Sequence, residues 1–151
     1  MAALCTVNAI ACVPVVRVGP DRDDIGWHYE LGSPRHDASA PESLAADPQP
    51  LWRAAAGRAV RAGPAIGSSV VAVGTSDRSV VLLDRTDGVR IWRRHVPGTV
   101  AAGPLIAGAT VYVATQAVPD GRVLALQLKT GVPQWSVRTG GVPIVAPWRT
   151  R

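Results

Sequence analysis

A tryptophan that recurs at a nearly constant interval constrains this chain more than any other feature. Trp52, Trp92 and Trp135 stand about 40 residues apart, and each is followed at the same offset by a proline, Pro64, Pro104 and Pro147. Two of the prolines sit in identical contexts, Ala62-Gly63-Pro64 and Ala102-Gly103-Pro104, and the third in Ala146-Pro147. A period of this size points to stacked supersecondary units rather than one compact core, because a single unit cannot bury both of its faces alone.

The units read as sheets. Val70-Val71-Ala72-Val73-Gly74-Thr75 and Val80-Val81-Leu82-Leu83-Asp84 are runs rich in β-branched residues, separated by the polar turn Ser76-Asp77-Arg78-Ser79. Asp87-Gly88 then precedes Val89-Arg90-Ile91-Trp92, and an Asp-Gly pair is suited to the positive φ angles of a tight hairpin turn. The next period repeats the order, with strands expected over residues 110–115, 122–127 and 132–137, and Thr130-Gly131 where Asp87-Gly88 stood. This second copy is three residues longer, and the extra residues fall in the loop at 116–120, where an insertion leaves the sheet intact. Gly63-Pro64 and Gly103-Pro104 lead into strands, not helices, so neither is a phosphate loop. Four short antiparallel strands per period describe a propeller blade, and the expected fold class is all-β: an incomplete β-propeller of four-stranded antiparallel blades.

The residues around two of the tryptophans carry a resemblance to a known family. The stretch from Leu82-Leu83-Asp84 to Gly88 and Trp92, and its counterpart from Ala125-Leu126-Gln127 to Gly131 and Trp135, resemble the pyrroloquinoline-quinone (PQQ) type repeat, whose signature is alanine, any residue, aspartate, then glycine and tryptophan. Leu82 and Gln127 depart from that signature. Residues 27–36, which begin Trp27-His28-Tyr29-Glu30, resemble the segment that precedes the first blade in such propellers. The resemblance implies a structural role for Trp52, Trp92, Trp135, Gly88 and Gly131, as residues through which one blade docks on the next. It divides the chain into 1–26, an apolar leader with an acidic linker; 27–51, an extended lead-in; and 52–151, the repeats, as 52–92, 93–135 and a partial 136–151.

Two functions follow from the resemblance. One is a non-catalytic propeller that presents loops and open strand edges to other proteins in the bacterial cell envelope, as in the lipoprotein family that assists outer-membrane β-barrel assembly. The alternative is a fragment of a PQQ-dependent alcohol or sugar dehydrogenase, with PQQ and calcium as cofactors. The first is favoured, with no catalytic, cofactor or metal residues expected. Beyond Asn8 there is no asparagine, and Asp77, Asp87 and Asp120 read as turn formers, not as oxygen ligands converging on one cation. His28, His36 and His95 lack a nucleophile in a recognisable turn.

Charge and the termini complete the reading. The net charge of +5 comes from arginines and one lysine, Lys129, concentrated after Gly88, where Asp120 is the one acid. Arginines that alternate with apolar residues occupy the solvent face of strands, so a nucleic-acid partner is not expected, and Arg93-Arg94-His95 reads as solvated charge just past a tryptophan. Residues 1–18 are mostly apolar and contain Cys5 and Cys12. Ala9-Ile10-Ala11-Cys12 resembles a bacterial lipoprotein box, which makes Cys12 the candidate lipidation site and a lipid anchor the one expected membrane contact. A disulfide, or simply two small hydrophobes in an apolar leader, are the other readings, and the last is preferred. The expected location is the cell envelope or another extracytoplasmic site, with the cytoplasm as the alternative. Two repeats and the opening of a third are fewer than the roughly four to eight blades that close a ring. The expectation is therefore a truncated propeller, or one that associates with copies of itself through exposed edges.

Overall fold

The computed structural model describes residues 18–22, 27, 46–141 and 143. Eight strands form two sheets of four. The first sheet consists of β1 (Ala65–Ile66), β2 (Val70–Thr75), β3 (Ser79–Asp84) and β4 (Arg90–His95), in the order β1-β2-β3-β4. The second consists of β5 (Leu105–Ala107), β6 (Thr110–Thr115), β7 (Arg122–Gln127) and β8 (Pro133–Arg138), in the order β5-β6-β7-β8. Every neighbouring pair is antiparallel, so each sheet is a simple meander. The incomplete all-β propeller read from the sequence is the architecture found.

The core lies between the sheets. One face of the first sheet offers Val70, Ala72, Val80 and Leu82, which form a single cluster with Ile106, Val111, Val113, Leu124, Leu126 and Leu128 of the second. The other face, with Val71, Val73, Val81 and Leu83, is covered by Trp52, Ala56 and Ile66. Burial on both sides explains why β2 and β3 are continuous apolar runs without polar alternation. Each fully buried Leu or Val contributes roughly 1.5–3 kcal/mol.

The sheet registers align the two copies residue by residue. Ala65, Ala72, Leu82 and Trp92 form one row across the first sheet, through the partners Ala65↔Ala72, Ala72↔Leu82 and Leu82↔Trp92. Leu105, Tyr112, Ala125 and Trp135 form the matching row across the second. Both sheets have a register shift one step beyond that row, between Leu82 and Leu83 and between Ala125 and Leu126. Such bulges bend and twist a strand, here in the same place in both copies.

Three details differ from the sequence reading. Regular structure begins at Ala65, not at Trp52 where the first repeat opens, because residues 51–53 have no neighbouring strand to pair with among the described residues. The fourth strand runs on past Trp92 to His95, since Arg93 and Arg94 pair opposite Val81 and Val80 of β3. The Asp87-Gly88 turn is longer than a two-residue hairpin: Asp84 N donates to Val89 O and Gly88 N donates to Asp84 O, and Gly88 alone has a positive φ there, 74°.

The segment before the repeats is also used. Val18 is buried in the inter-sheet cluster. Asp21 bridges both sheets: its amide donates to Gly108 O (2.8 Å), and its carboxylate accepts from the Ser68 amide (2.7 Å). Trp27 pairs with Ile66 on the free side of β1.

Candidate protein-interaction site

The contact between the sheets is built from a tryptophan and a glycine turn. The β3–β4 turn closes with Asp84 as acceptor for the Thr86 amide, and Asp87 as acceptor for the Val89 amide. In the β7–β8 turn Gln127 accepts from the Thr130 hydroxyl, and Thr130 in turn accepts from the Val132 amide. Different side chains therefore hold one backbone shape, which ends in Gly88 (φ 74°) and Gly131 (φ 67°). Positive φ favours glycine in both places.

A second reason for glycine lies above the turns. A Cβ on Gly131 would come within 2.8 Å of the Trp92 ring, and one on Gly88 within 2.5 Å of the Trp52 ring. Each indole also donates a hydrogen bond to the carbonyl three residues before its glycine: Trp92 Nε1 to Leu128 O and Trp52 Nε1 to Arg85 O, both 2.8 Å. Ring contact and hydrogen bond together satisfy the polar edge of the indole while its body covers the next turn. Trp92 starts on the outer strand of the first sheet and ends on the second, and Arg94 Nε adds a bond to Gly131 O at 2.9 Å.

Trp135 occupies the same row position but a different environment. It is 45% exposed and its ring lies 5.9 Å from that of Tyr112. No glycine turn lies over it among the described residues. The whole of β8 is exposed, and Val132 and Val137 beside Trp135 are 48% and 57% exposed. Among the described residues, an exposed apolar group on an outer strand with no further pairing partner is the feature best suited to receive another surface.

The other residues singled out in the sequence are placed as follows. The Asp77 carboxylate accepts from the Thr75 hydroxyl and forms an ion pair with Arg93 at 2.7 Å. The Thr75 bond first, then the Arg93 charge and the Arg58 amide, hold its carboxyl below the ordinary carboxylate value against a partial desolvation. Gly57-Arg58-Ala59 is thereby tied to the β2–β3 turn, with Ser76 N donating to Ala59 O at 2.9 Å. Arg93 and Arg94 are thus engaged, one in an ion pair and one across the sheets, where the sequence alone read solvated charge. Cys5, Cys12, His28 and His36 lie outside the described residues, as do Pro147 and the end of the partial third repeat.

A calcium-bound quinone does not fit the described residues. Asp84 and Asp87 are spent on turn amides and Asp77 on Thr75 and Arg93. Among the described residues no three His, Cys, Asp or Glu side chains gather to hold a cation, and no helix is long and apolar enough to cross a membrane.

Four-stranded meanders stacked face to face, each locked to the next by a tryptophan on a glycine turn, are the blades of a β-propeller. The chain belongs to the family described as outer membrane protein assembly factor BamB, whose profile matches residues 42–150. It is 32% identical over 96 residues to the outer membrane protein assembly factor BamB of Burkholderia pseudomallei (strain K96243), covering 64% of this chain and 24% of that protein. The crystal structure of BamB from Moraxella catarrhalis is similar in fold, with a TM-score of 0.52 and 24% identity over 59% of this chain and 27% of the other. The quinohemoprotein alcohol dehydrogenase ADHIIG from Pseudomonas putida HK5 shares the fold at a TM-score of 0.61 and 22% identity, covering 76% of this chain and 19% of that enzyme. The chain therefore spans about a quarter of the length of the BamB proteins it matches.

Proposed function

We propose that this chain is a non-catalytic protein-interaction module of the bacterial cell envelope, acting with other proteins in the assembly of outer-membrane proteins. The observation that carries this reading is the outer strand β8, exposed along its whole length and bearing Trp135 and Val137, with the exposed Val132 just before it. Membership of the BamB family supports the same reading and supplies the context of outer-membrane assembly. An open strand edge offers backbone donors and acceptors to a partner strand, and the apolar side chains beside it supply the buried area. In this reading Trp52, Trp92, Gly88 and Gly131 are scaffold residues, and Cys12 remains the candidate lipidation site.

The test is site-specific photo-crosslinking in living host cells. A photoreactive residue at Val137, on β8, is expected to capture a component of the outer-membrane assembly machinery. The same residue at Val118, a loop position 93% exposed, serves as the comparison and is expected not to. Capture of cytoplasmic proteins alone, or equal capture from both positions, would overturn the reading.

A further inference from the structure

The two sheets are joined at both ends of their strand order, and by different means. On the fourth-strand side Trp92 covers Gly131 and donates to Leu128 O. On the first-strand side the ladders are short, since β1 pairs with β2 through two residues and β5 with β6 through three. The joint there is made by a segment outside both sheets. Val18 is buried in the inter-sheet cluster, Gly19 and Pro20 are exposed, and Asp21 is buried again. The Asp21 carboxylate accepts from the amide and the hydroxyl of Ser68, in the β1–β2 connection of the first sheet. The Asp21 amide donates to Gly108 O, in the β5–β6 connection of the second. One residue thus holds both connections, its side chain on one sheet and its backbone on the other. Pro20 fixes the backbone just before it, which reduces the entropy lost on docking. Gly67 is the seat of the carboxylate, for a Cβ at that position would come within 2.5 Å of it.

We propose that residues 18–21 are a releasable strap that fixes the angle between the two sheets. When the strap undocks, the sheets open on the first-strand side and stay joined at Trp92, which serves as the hinge. Val18 and Asp21 are three residues apart on one short segment, so lifting either anchor lifts the other. Opening is partial because Val70, Leu82, Ile106 and Leu126 remain packed in the same cluster, while the short ladders beside the strap have few bonds to hold them closed.

The proposal does not depend on the envelope reading and is tested by hydrogen exchange, followed by NMR on the purified full chain. Gly67→Ala leaves Asp21 in the chain but crowds its carboxylate off Ser68. It is expected to speed exchange of the Ser68 amide by about tenfold or more, the equivalent of one hydrogen bond to a charged group. The Asp21 amide should speed up in parallel, although its acceptor is on the other sheet. Exchange at Trp92 Nε1 should be unchanged, because the hinge stays closed. Asp21→Ala is expected to match Gly67→Ala at Ser68, and adding Gly67→Ala to it should do nothing more, since the side chain that the new Cβ meets is gone. Trp92 Nε1 speeding up as much as Ser68 would mean that the sheets separate as a whole. An Asp21 amide indifferent to Gly67→Ala would mean that the two anchors act independently, and full additivity of the two substitutions would place the effect of Gly67 in its own turn. Any of these three results would overturn the proposal.

Discussion

The two sheets are copies of one design, and their outer strands show what the design needs from a neighbour. In the first sheet Trp92 covers Gly131 of the second, Arg94 reaches the same turn, and Arg93 is paired with Asp77, so β4 is partly covered along much of its length. In the second sheet the equivalent strand β8 is exposed throughout, and the Trp135 ring lies beside Tyr112 with no glycine turn over it among the described residues. The strands have the same length, the same pairing and the same bulge. What separates them is whether another sheet lies over the tryptophan, which means that the outer strand of a blade is stabilised from the next blade more than from its own.

Substituting the two tryptophans tests this most strongly. Trp92→Ala is expected to cost about 3 kcal/mol or more, within the range for removal of a large aromatic from a packed site. Trp135→Ala should cost no more than about 0.5 kcal/mol in the single copy, as for a surface position. Urea unfolding at a protein concentration low enough to keep the chain dissociated would measure both. Equal losses would mean that the tryptophans serve their own sheets, and the distinction drawn between β4 and β8 would fall.

The glycine turns come next. Gly88→Ala and Gly131→Ala each place an L-residue at positive φ, at a cost of about 1–2 kcal/mol. The new Cβ at position 131 also collides with Trp92, which is anchored in the inter-sheet core, while at position 88 it collides with Trp52, on residues that make no backbone hydrogen bond among the described residues. Gly131→Ala should therefore lower the unfolding midpoint more than Gly88→Ala. A larger loss at Gly88 would show that Trp52 is as firmly held as a residue on a paired strand.

Much of this was legible in the sequence, and the parts that were not share a cause. Thr110–Thr115 and Arg122–Gln127 are strands with the boundaries expected, because local β-branched runs bounded by turn residues decide them. The two covering contacts, Trp52 on Gly88 and Trp92 on Gly131, have a signature in their fixed spacing. The burial of Val18 and the bridging by Asp21 have none, since an acidic, proline-bearing segment carries no periodicity and its partners, Ser68 and Gly108, are remote in sequence. The first repeat opens at Trp52 in the sequence but regular structure starts at Ala65, because a strand also needs a neighbour, and pairing is not a local property. The difference between Trp92 and Trp135 is invisible in the same way, as both sit in the same motif.

The Asp77 tie gives a pH test of how residues 57–59 are held on the first sheet. Its carboxyl is held below the ordinary value of 3.8 by the Thr75 bond first and then by Arg93 and Arg58. A group whose folded pKa is depressed contributes stability above the unfolded pKa, and that contribution is lost as pH falls through the folded one. The thermal midpoint of the native chain should exceed that of Asp77→Asn at neutral pH, and the gap should close below about pH 3.8. No such tie is found in the second sheet among the described residues, so the effect should report on the β2–β3 turn and residues 57–59, and trypsin cleavage at Arg58 should speed up in the variant. A gap unchanged by acid would show that the amide replaces every contact of the carboxylate.

The smallest effect is expected where the two sheets differ in loop length. The β2–β3 connection has three residues, Ser76, Asp77 and Arg78, between the paired Thr75 and Ser79, and it places Arg78 at φ 60°. The β6–β7 connection has six residues, 116–121, three more than its counterpart, and places no side chain at positive φ. A three-residue hairpin ends in a left-handed residue by geometry, and arginine is strained there where glycine is not. Arg78 O also accepts from Val96 N at 2.9 Å, which fixes the strained conformation in place and survives a change of side chain. Arg78→Gly is therefore expected to raise stability by about 0.5–1 kcal/mol, after allowing for the greater freedom of glycine in the unfolded chain. A loss of stability in urea unfolding would mean that the arginine side chain makes a contribution larger than its backbone strain.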